Sequence, residues 1–196
     1  MRSYAFPAAL AATLAATPVL AQPAAPDAFV MGGPFAATTL MTAAGETRAI
    51  VTMTEGPNGL LVRAEFQDLA PGTYGLHVHE TGACTPDFEA AGGHFNPTDA
   101  EHGFLAEGGP HAGDLPNVVV PESGRVTVEF FAPGLSVDPG PPPDAAGNRP
   151  DPDPGYLFDA DGAALVLHAM ADDYMTQPAG HAGDRIACGV LLLAQP

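Results

Sequence analysis

Short segments of the chain alternate apolar and polar residues, and turns rich in glycine and proline separate them. Residues 47–53 and 61–66 alternate in this way around a Glu-Gly-Pro-Asn-Gly turn. Comparable runs follow at 74–79, 117–120, 125–131, 163–168 and 186–193. A period of two is typical of strands with one buried face, and closely spaced short strands favour a sandwich or a barrel. We therefore predict an all-β fold of antiparallel strands, with no amphipathic helix.

Two long segments interrupt the alternation. Residues 80–116 are rich in Gly, His and Asp, whereas residues 133–154 hold eight prolines and four aspartates. Loops of this length in a compact domain are usually functional or disordered. Because metal-binding side chains are concentrated in the first segment, we predict that 80–116 is functional. We interpret 133–154 as a surface excursion whose role the sequence does not indicate.

The N-terminus has the pattern of a secretory signal peptide. One arginine precedes an apolar stretch, and small residues lead to Ala21. We predict a signal peptide over residues 1–21 and a flexible arm over 22–35, rich in Ala, Pro and Gly. A buried N-terminal helix is the alternative, which Pro7 and Pro18 disfavour. The leader pattern predicts a periplasmic or secreted protein, and no later stretch is long and apolar enough to span a bilayer.

The net charge limits the classes of binding partner, and the cysteine content bears on disulfide formation. The 196-residue chain has a formal net charge of −17 and contains no lysine. Nucleic acid and membrane surfaces are therefore poor partners, since both attract basic proteins. Its two cysteines, Cys84 and Cys188, favour one disulfide in an exported chain. Two free thiols that bind metal are the alternative, although neither cysteine lies in a Cys-x-x-Cys pair.

Five of the seven histidines fall within 35 residues of one another. His77 and His79 are two apart on a predicted strand, so both rings leave the same face and can bind one ion. The following loop adds three imidazoles and one carboxylate, the closed four-ligand set that zinc prefers in structural sites. These four residues are His94, His102, His111 and Asp114. Copper suits the histidine-rich cluster that remains.

Four motifs resemble the copper/zinc superoxide dismutase family, from about residue 38 to the C-terminus. They lie at 75–80 (GLHVHE), 92–97 (GGHFNP), 111–117 (HAGDLPN) and 183–190 (GDRIACGV). The resemblance implies a Greek-key β-barrel or sandwich of about eight strands, with long metal-binding and active-site loops, over a domain at 36–196. It also implies disproportionation of superoxide to dioxygen and hydrogen peroxide, as antioxidant defence outside the cytoplasm.

The resemblance further implies a role for each candidate residue. Copper would bind His77, His79, His94 and His168, and zinc would bind His94, His102, His111 and Asp114, so that His94 bridges the ions. Asp172 would accept hydrogen bonds from His77 and His102, with its neighbour Asp173 as a competitor for that role. His94 would also deliver a proton to the forming peroxide. His181 is interpreted as an ordinary loop histidine.

Arg185 is implied as the residue that holds the anionic substrate beside copper, and a Cys84–Cys188 bridge would tie the metal-bearing loop to the following strand. Pro178 and Ala179 stand where animal members carry a guiding lysine and a channel threonine. We therefore expect steering of superoxide to rest on Arg185 and the metal charges. The competing hypotheses are a metal-storage protein without turnover and a purely structural β-domain. A homodimer is one assembly that the resemblance allows.

Overall fold

The computed structural model describes residues 33–141 and 153–194. Within them nine strands pair antiparallel in one sheet, and a single 3₁₀ helix lies at Phe88–Ala91. The strands are β1 (Phe35–Met41), β2 (Thr47–Gly56), β3 (Gly59–Phe66), β4 (Gly72–His79), β5 (Asp114–Val120), β6 (Val126–Pro133), β7 (Ala164–His168), β8 (Arg185–Val190) and β9 (Leu192–Ala194). The predicted all-β fold is confirmed.

The strand order is β5-β4-β7-β8-β1-β2-β3-β6, with β9 paired to β1. Strands β1 to β3 follow one another as hairpins, whereas β6 returns beside β3 and β7 inserts between β4 and β8. The two end strands, β5 and β6, contact each other, so the path nearly closes into a barrel. The long connections that bear on the site join paired neighbours instead, at 80–113 between β4 and β5 and at 169–184 between β7 and β8.

Strand β4 is buried on both of its faces. Leu76 and Val78 point into the barrel core, and the period of two sends His77 and His79 to the opposite face. The outer face of a barrel strand is normally exposed to solvent, yet His77 and His79 are no more than 1% exposed. The loop before β5 covers them through His94 and Gly92, and the loop after β7 covers His77 through Asp172. Histidines on this face are therefore removed from water by loops rather than by the core.

The loop that follows β4 packs onto the outside of the barrel. Ala91 joins Ala164 and Val166 of β7 in a second small apolar cluster, against which Phe88 packs. A disulfide between Cys84 and Cys188 links this loop to β8, which confirms the predicted bridge. No free cysteine is present among the described residues, so thiol ligands are excluded.

The structure changes the bounds of several predicted segments. The run at 186–193 is two strands, because Leu191 breaks the pairing between β8 and β9. The predicted loop 80–116 contains the 3₁₀ helix and the start of β5. The predicted signal peptide at 1–21 and most of the arm at 22–35 lie outside the described residues, although Phe35 already belongs to β1.

The interpretation of 133–154 as a surface excursion is wrong for its first part. Leu135 and Val137 are at most 2% exposed, and the Glu55 carboxylate accepts hydrogen bonds from Val137 N at 2.7 Å and from the Ser136 hydroxyl at 3.1 Å. Burial of two aliphatic side chains outweighs the turn-rich composition here. Residues 142–152 of this segment lie outside the described part. No helix in the described residues is long and apolar enough to cross a membrane.

Candidate metal centre

Two groups of buried side chains share one histidine. We call His77, His79, His94 and His168 the imidazole cluster, and His94, His102, His111 and Asp114 the carboxylate cluster. In each cluster the ligand atoms lie within 4.8 Å of one another. All seven residues are less than 10% exposed. The chain therefore brings together every histidine and aspartate that the sequence predicted as a ligand.

Strand register builds most of the imidazole cluster. His77 and His79 leave the outer face of β4, and His168 ends β7, whose Leu167 pairs with Leu76 of β4. His94 reaches the same face through an isolated β-bridge to His79. The His77 and His94 ring centroids are 4.0 Å apart. Three of the four rings are thus set by pairing in the barrel wall.

Backbone carbonyls orient two of these rings. His79 Nδ1 lies 3.0 Å from the Gly92 carbonyl, and His168 Nδ1 lies 3.2 Å from the Gly183 carbonyl. Because a carbonyl only accepts, each Nδ1 carries the proton and each Nε2 presents a lone pair. The two Nε2 atoms are 3.4 Å apart. Two facing lone pairs at this distance repel unless a cation lies between them.

Two buried nitrogens in the imidazole cluster have no hydrogen-bond partner. They are His77 Nδ1 and His94 Nε2. Leaving a buried polar atom unpaired costs about 1–3 kcal/mol, and both atoms belong to the same four-residue group. A bound metal ion satisfies them, and imidazole-rich sites suit copper. The residues therefore fit a copper ion.

Asp114 is the centre of the carboxylate cluster. Its Oδ1 lies 2.8 Å from His94 Nδ1, 3.0 Å from His102 Nδ1 and 3.3 Å from His111 Nδ1. Its Oδ2 instead accepts from the backbone N–H groups of Gly103 at 2.8 Å and His111 at 3.0 Å. One oxygen is thus anchored while the other meets three imidazoles. Three nitrogens and one oxygen fit a closed tetrahedral zinc site.

Asp172 connects the two clusters through their outer nitrogens. Its Oδ2 lies 2.9 Å from His77 Nε2, and its Oδ1 lies 3.0 Å from His102 Nε2. Asn117 holds the Asp172 backbone through two hydrogen bonds of 2.9 and 2.8 Å. Gly180 crowds the same carboxylate, since a Cβ there would stand 1.7 Å from Oδ1. Asp173 instead accepts from Thr176 and faces solvent.

Protonation differs between the clusters. Burial lowers the pKa of His77 to about 4, of His79 to about 2 and of His168 to about 3. Burial also opposes charge on His102, yet hydrogen bonds to Asp114 and Asp172 outweigh it and raise the His102 pKa to about 9. The same bonds hold the pKa values of both aspartates well below their usual range, against the effect of burial.

A cleft of about 640 Å³ opens onto the imidazole cluster. Arg185 lies at its wall, where Nη1 donates to the Phe88 carbonyl at 2.7 Å and Nη2 to the Gly92 carbonyl at 2.8 Å. Pro178 and Ala179 also line the cleft. His181 belongs to neither ligand cluster; its side chain is 77% exposed, 3.5 Å from Asp173.

Sequence reasoning missed the carbonyl groups that position the site. Gly92 O serves both His79 and Arg185, and Gly183 O serves His168. A backbone carbonyl has no signature in the sequence beyond the glycines that let the chain approach closely. It also missed Glu89, whose carboxylate lies 3.3 Å from the Arg185 guanidinium.

Comparison with known proteins agrees with this geometry. Residues 47–191 match the family model described as copper/zinc superoxide dismutase. The chain is 42% identical to the Cu-Zn superoxide dismutase of Caulobacter vibrioides over 149 residues, which cover 75% of this chain and 79% of that protein. A Cu-Zn superoxide dismutase of Aquifex aeolicus is 39% identical over 75% of this chain and 81% of that protein. The crystal structure of a SOD-like protein from Bacillus subtilis has a TM-score of 0.70 and 38% identity, covering 80% of this chain and 97% of that one.

Proposed function

The chain belongs to the copper/zinc superoxide dismutase family, and on this premise we propose which of its residues hold the two ions and handle superoxide. Copper is assigned to the imidazole cluster and zinc to the carboxylate cluster, with His94 between them. The observation that carries this assignment is the pair of buried nitrogens without partners, His77 Nδ1 and His94 Nε2. Both face the all-imidazole group, while His94 Nδ1 faces Asp114 at 2.8 Å.

Copper bound there would supply one-electron chemistry, in which one superoxide is oxidised to dioxygen and a second, with two protons, is reduced to hydrogen peroxide. His94 Nε2 is the atom we assign to proton delivery, because its Nδ1 is directed to the carboxylate cluster. Asp172 orients the rings of His77 and His102 together, and so fixes the two ligand sets relative to each other.

Arg185 is proposed to hold the substrate anion. Its guanidinium is fixed by two backbone carbonyls at the wall of the cleft, which orients its remaining N–H groups without neutralising their charge. A guanidinium binds small anions by charge-assisted hydrogen bonds. With no lysine in the chain, steering rests on this arginine and the bound ions. A steep fall of turnover with added salt that survives neutralisation of Arg185 would contradict this.

Two further assignments are proposals. We propose export to the periplasm or the medium, supported by the leader-like residues 1–21 and by the disulfide, since such bonds persist in oxidising compartments. Fractionation of cells that express the full chain tests this. A homodimer is a hypothesis that rests on the family alone, and light scattering at several concentrations tests it.

The central experiment compares His168→Gln with His181→Gln. Copper and zinc per chain are measured first, and superoxide removal is assayed next. We expect His168→Gln to lose copper and turnover because one of four copper ligands is gone. His181→Gln should keep both, since His181 belongs to neither cluster. A metal-loaded wild type without turnover would favour a copper-storage protein instead.

A further inference from the structure

Arg185 is the one arginine that lines the cleft among the described residues. Four acidic side chains, Glu80, Glu89, Asp99 and Asp184, line it as well. They are not equivalent. The Glu80 carboxylate accepts a hydrogen bond from Gly93 N at 2.9 Å. The Glu89 carboxylate instead pairs with Arg185, with 3.3 Å between Glu89 Oε2 and Arg185 Nη2. An anion that binds the Arg185 guanidinium therefore competes with the Glu89 carboxylate.

The 3₁₀ helix Phe88–Ala91 determines this arrangement. The carbonyls that hold the Arg185 guanidinium come from Phe88 and Gly92, which flank Glu89 and its two alanine neighbours. The Glu89 N–H is itself capped by Asp87 at 3.1 Å. The same short element thus fixes the guanidinium and presents a carboxylate to it.

Exposure makes the pair unequal. The Arg185 side chain is 17% exposed, and the Glu89 side chain is 77% exposed. Pairs with an exposed partner are weak and easily broken. The carboxylate can therefore be displaced from the guanidinium by a competing anion, but it stays nearby and repels what replaces it. That repulsion grows with the charge of the incoming anion.

We propose that Glu89 determines the anion specificity of Arg185, by competing with the substrate for the guanidinium and by disfavouring dianions more than monoanions. This inference rests on the proposed role of Arg185 as the anion-holding residue. Superoxide carries one negative charge, whereas inorganic phosphate carries two in alkaline solution. Glu89 thus keeps abundant dianions away from Arg185 at a smaller cost in affinity for the monoanionic substrate.

The expected size follows from Coulomb's law. One unit charge at about 5 Å in water changes the dissociation constant of a monoanion about fourfold and that of a dianion roughly fifteenfold. Salt screens both effects, so the measurement belongs at low ionic strength. Removal of the Glu89 charge should therefore tighten the binding of phosphate more than the binding of formate.

The test uses the metal-loaded full chain as Glu89→Gln, with Glu122→Gln as the control. Glu122 is exposed, does not line the cleft, and its loss changes net charge equally. Arg185 is treated with phenylglyoxal at increasing concentrations of phosphate or formate, and mass spectrometry of the Arg185 peptide measures the protection that each anion gives. Arg63 and Arg125 in the same digest report non-specific effects. Turnover and its inhibition by phosphate are recorded in parallel.

We expect half-protection by phosphate at a roughly tenfold lower concentration in Glu89→Gln than in Glu122→Gln, with a smaller shift for formate. Equal protection in the two variants overturns the proposal while leaving Arg185 as an anion site. Equal shifts for phosphate and formate overturn the discrimination by charge. Absence of protection in every variant removes the anion-holding role of Arg185 itself, and the inference with it.

Discussion

The imidazole cluster and the carboxylate cluster share His94 but are built in different ways. Strand pairing between β4 and β7 positions three of the four rings of the first. The second takes three ligands from the loop between β4 and β5, and Asp114 is the first residue of β5. The first geometry is inherited from the barrel, whereas the second relies on hydrogen bonds made within the loop to Asp114.

This difference in construction suits the imidazole cluster to a redox ion and the carboxylate cluster to a structural ion. A redox ion needs ligands that hold their positions through each cycle, and a barrel wall provides them. A structural ion can itself order the chain that binds it, because metal affinity and folding are coupled. We therefore expect changes in the carboxylate cluster to affect stability strongly, and changes in the imidazole cluster to affect mainly chemistry.

The largest expected effect comes from Asp114→Asn. Loss of the carboxylate removes one proposed zinc ligand and the charged anchor for the Gly103 and His111 N–H groups. A hundredfold loss of zinc affinity corresponds to about 2.7 kcal/mol of linked stability, or roughly 5–10 °C in Tm for a domain of this size. Calorimetry of the zinc-loaded protein measures this.

His168→Gln is the matched substitution in the imidazole cluster. It should remove copper but change the Tm of the zinc-loaded protein much less than Asp114→Asn does. If both variants lowered Tm equally, the barrel would not be holding the imidazole cluster independently of its ion.

Asp172→Asn tests the link between the clusters. Its carboxylate meets His77 and His102 together, so both copper and zinc affinity should fall, each by about 10–100-fold. Chelator competition gives the two constants separately. Asp173→Asn is the control, since that carboxylate bonds to Thr176 instead. A loss confined to one metal would show that Asp172 serves a single cluster.

Gly180→Ala should have a weaker effect on stability, through its contact with the Asp172 carboxylate. The backbone there has a φ of +65°, and a Cβ would overlap Asp172 Oδ1. The strain is on the order of 1–3 kcal/mol, with a matching fall in Tm. Gly45→Ala has a similar φ of +79° but open space around its Cβ, and so isolates the backbone cost. Equal losses in the two variants would mean that the overlap is relieved by movement of the loop.

The two clusters also differ in pH dependence, and the sign of the effect is opposite in the two. The His102 pKa of about 9 lies above its unfolded value near 6.5. Its contribution to stability is therefore full below pH 6.5 and is lost as pH rises through 9. The depressed pKa values of His77 and His168, about 4 and 3, act oppositely, so their contribution is lost as pH falls below 6.5.

Urea unfolding of the metal-free protein from pH 4 to 10 measures both limbs. His102→Gln should flatten the alkaline limb and leave the acid limb between pH 6.5 and about 5, where both aspartates stay ionised, little changed. At pH 7.5 zinc binding should also release about one proton from His102, which calorimetry in buffers of different ionisation enthalpy detects. An alkaline limb that survives His102→Gln would assign it to another group.

The parts of the site that could be predicted from the sequence are those formed by side chains of recognisable metal-ligand type. His77 and His79 stand two apart on an alternating strand, and His94, His102, His111 and Asp114 supply the three nitrogens and one oxygen of a closed zinc site. The alternation also predicted most strands to within a few residues. Backbone groups were not predictable, because the carbonyls of Gly92 and Gly183 act through the path of the chain.

Burial was predictable only where it agreed with composition. Leu135 and Val137 were assigned to the surface because prolines and aspartates surround them, yet a single carboxylate, Glu55, ties that stretch to β2. Such a long-range contact is set by tertiary packing rather than by local pattern.

The Cys84–Cys188 bridge has a consequence for the integrity of the chain. It joins residues 104 positions apart, and the Pro/Asp-rich segment 133–154 lies between them. A protease that cuts within 133–154 would therefore yield two fragments that stay covalently attached. Electrophoresis without reductant would show one band of unchanged mass, and reductant would release two. A nicked molecule would keep the proposed metal ligands on both fragments, with His77 to Asp114 on one and His168 on the other.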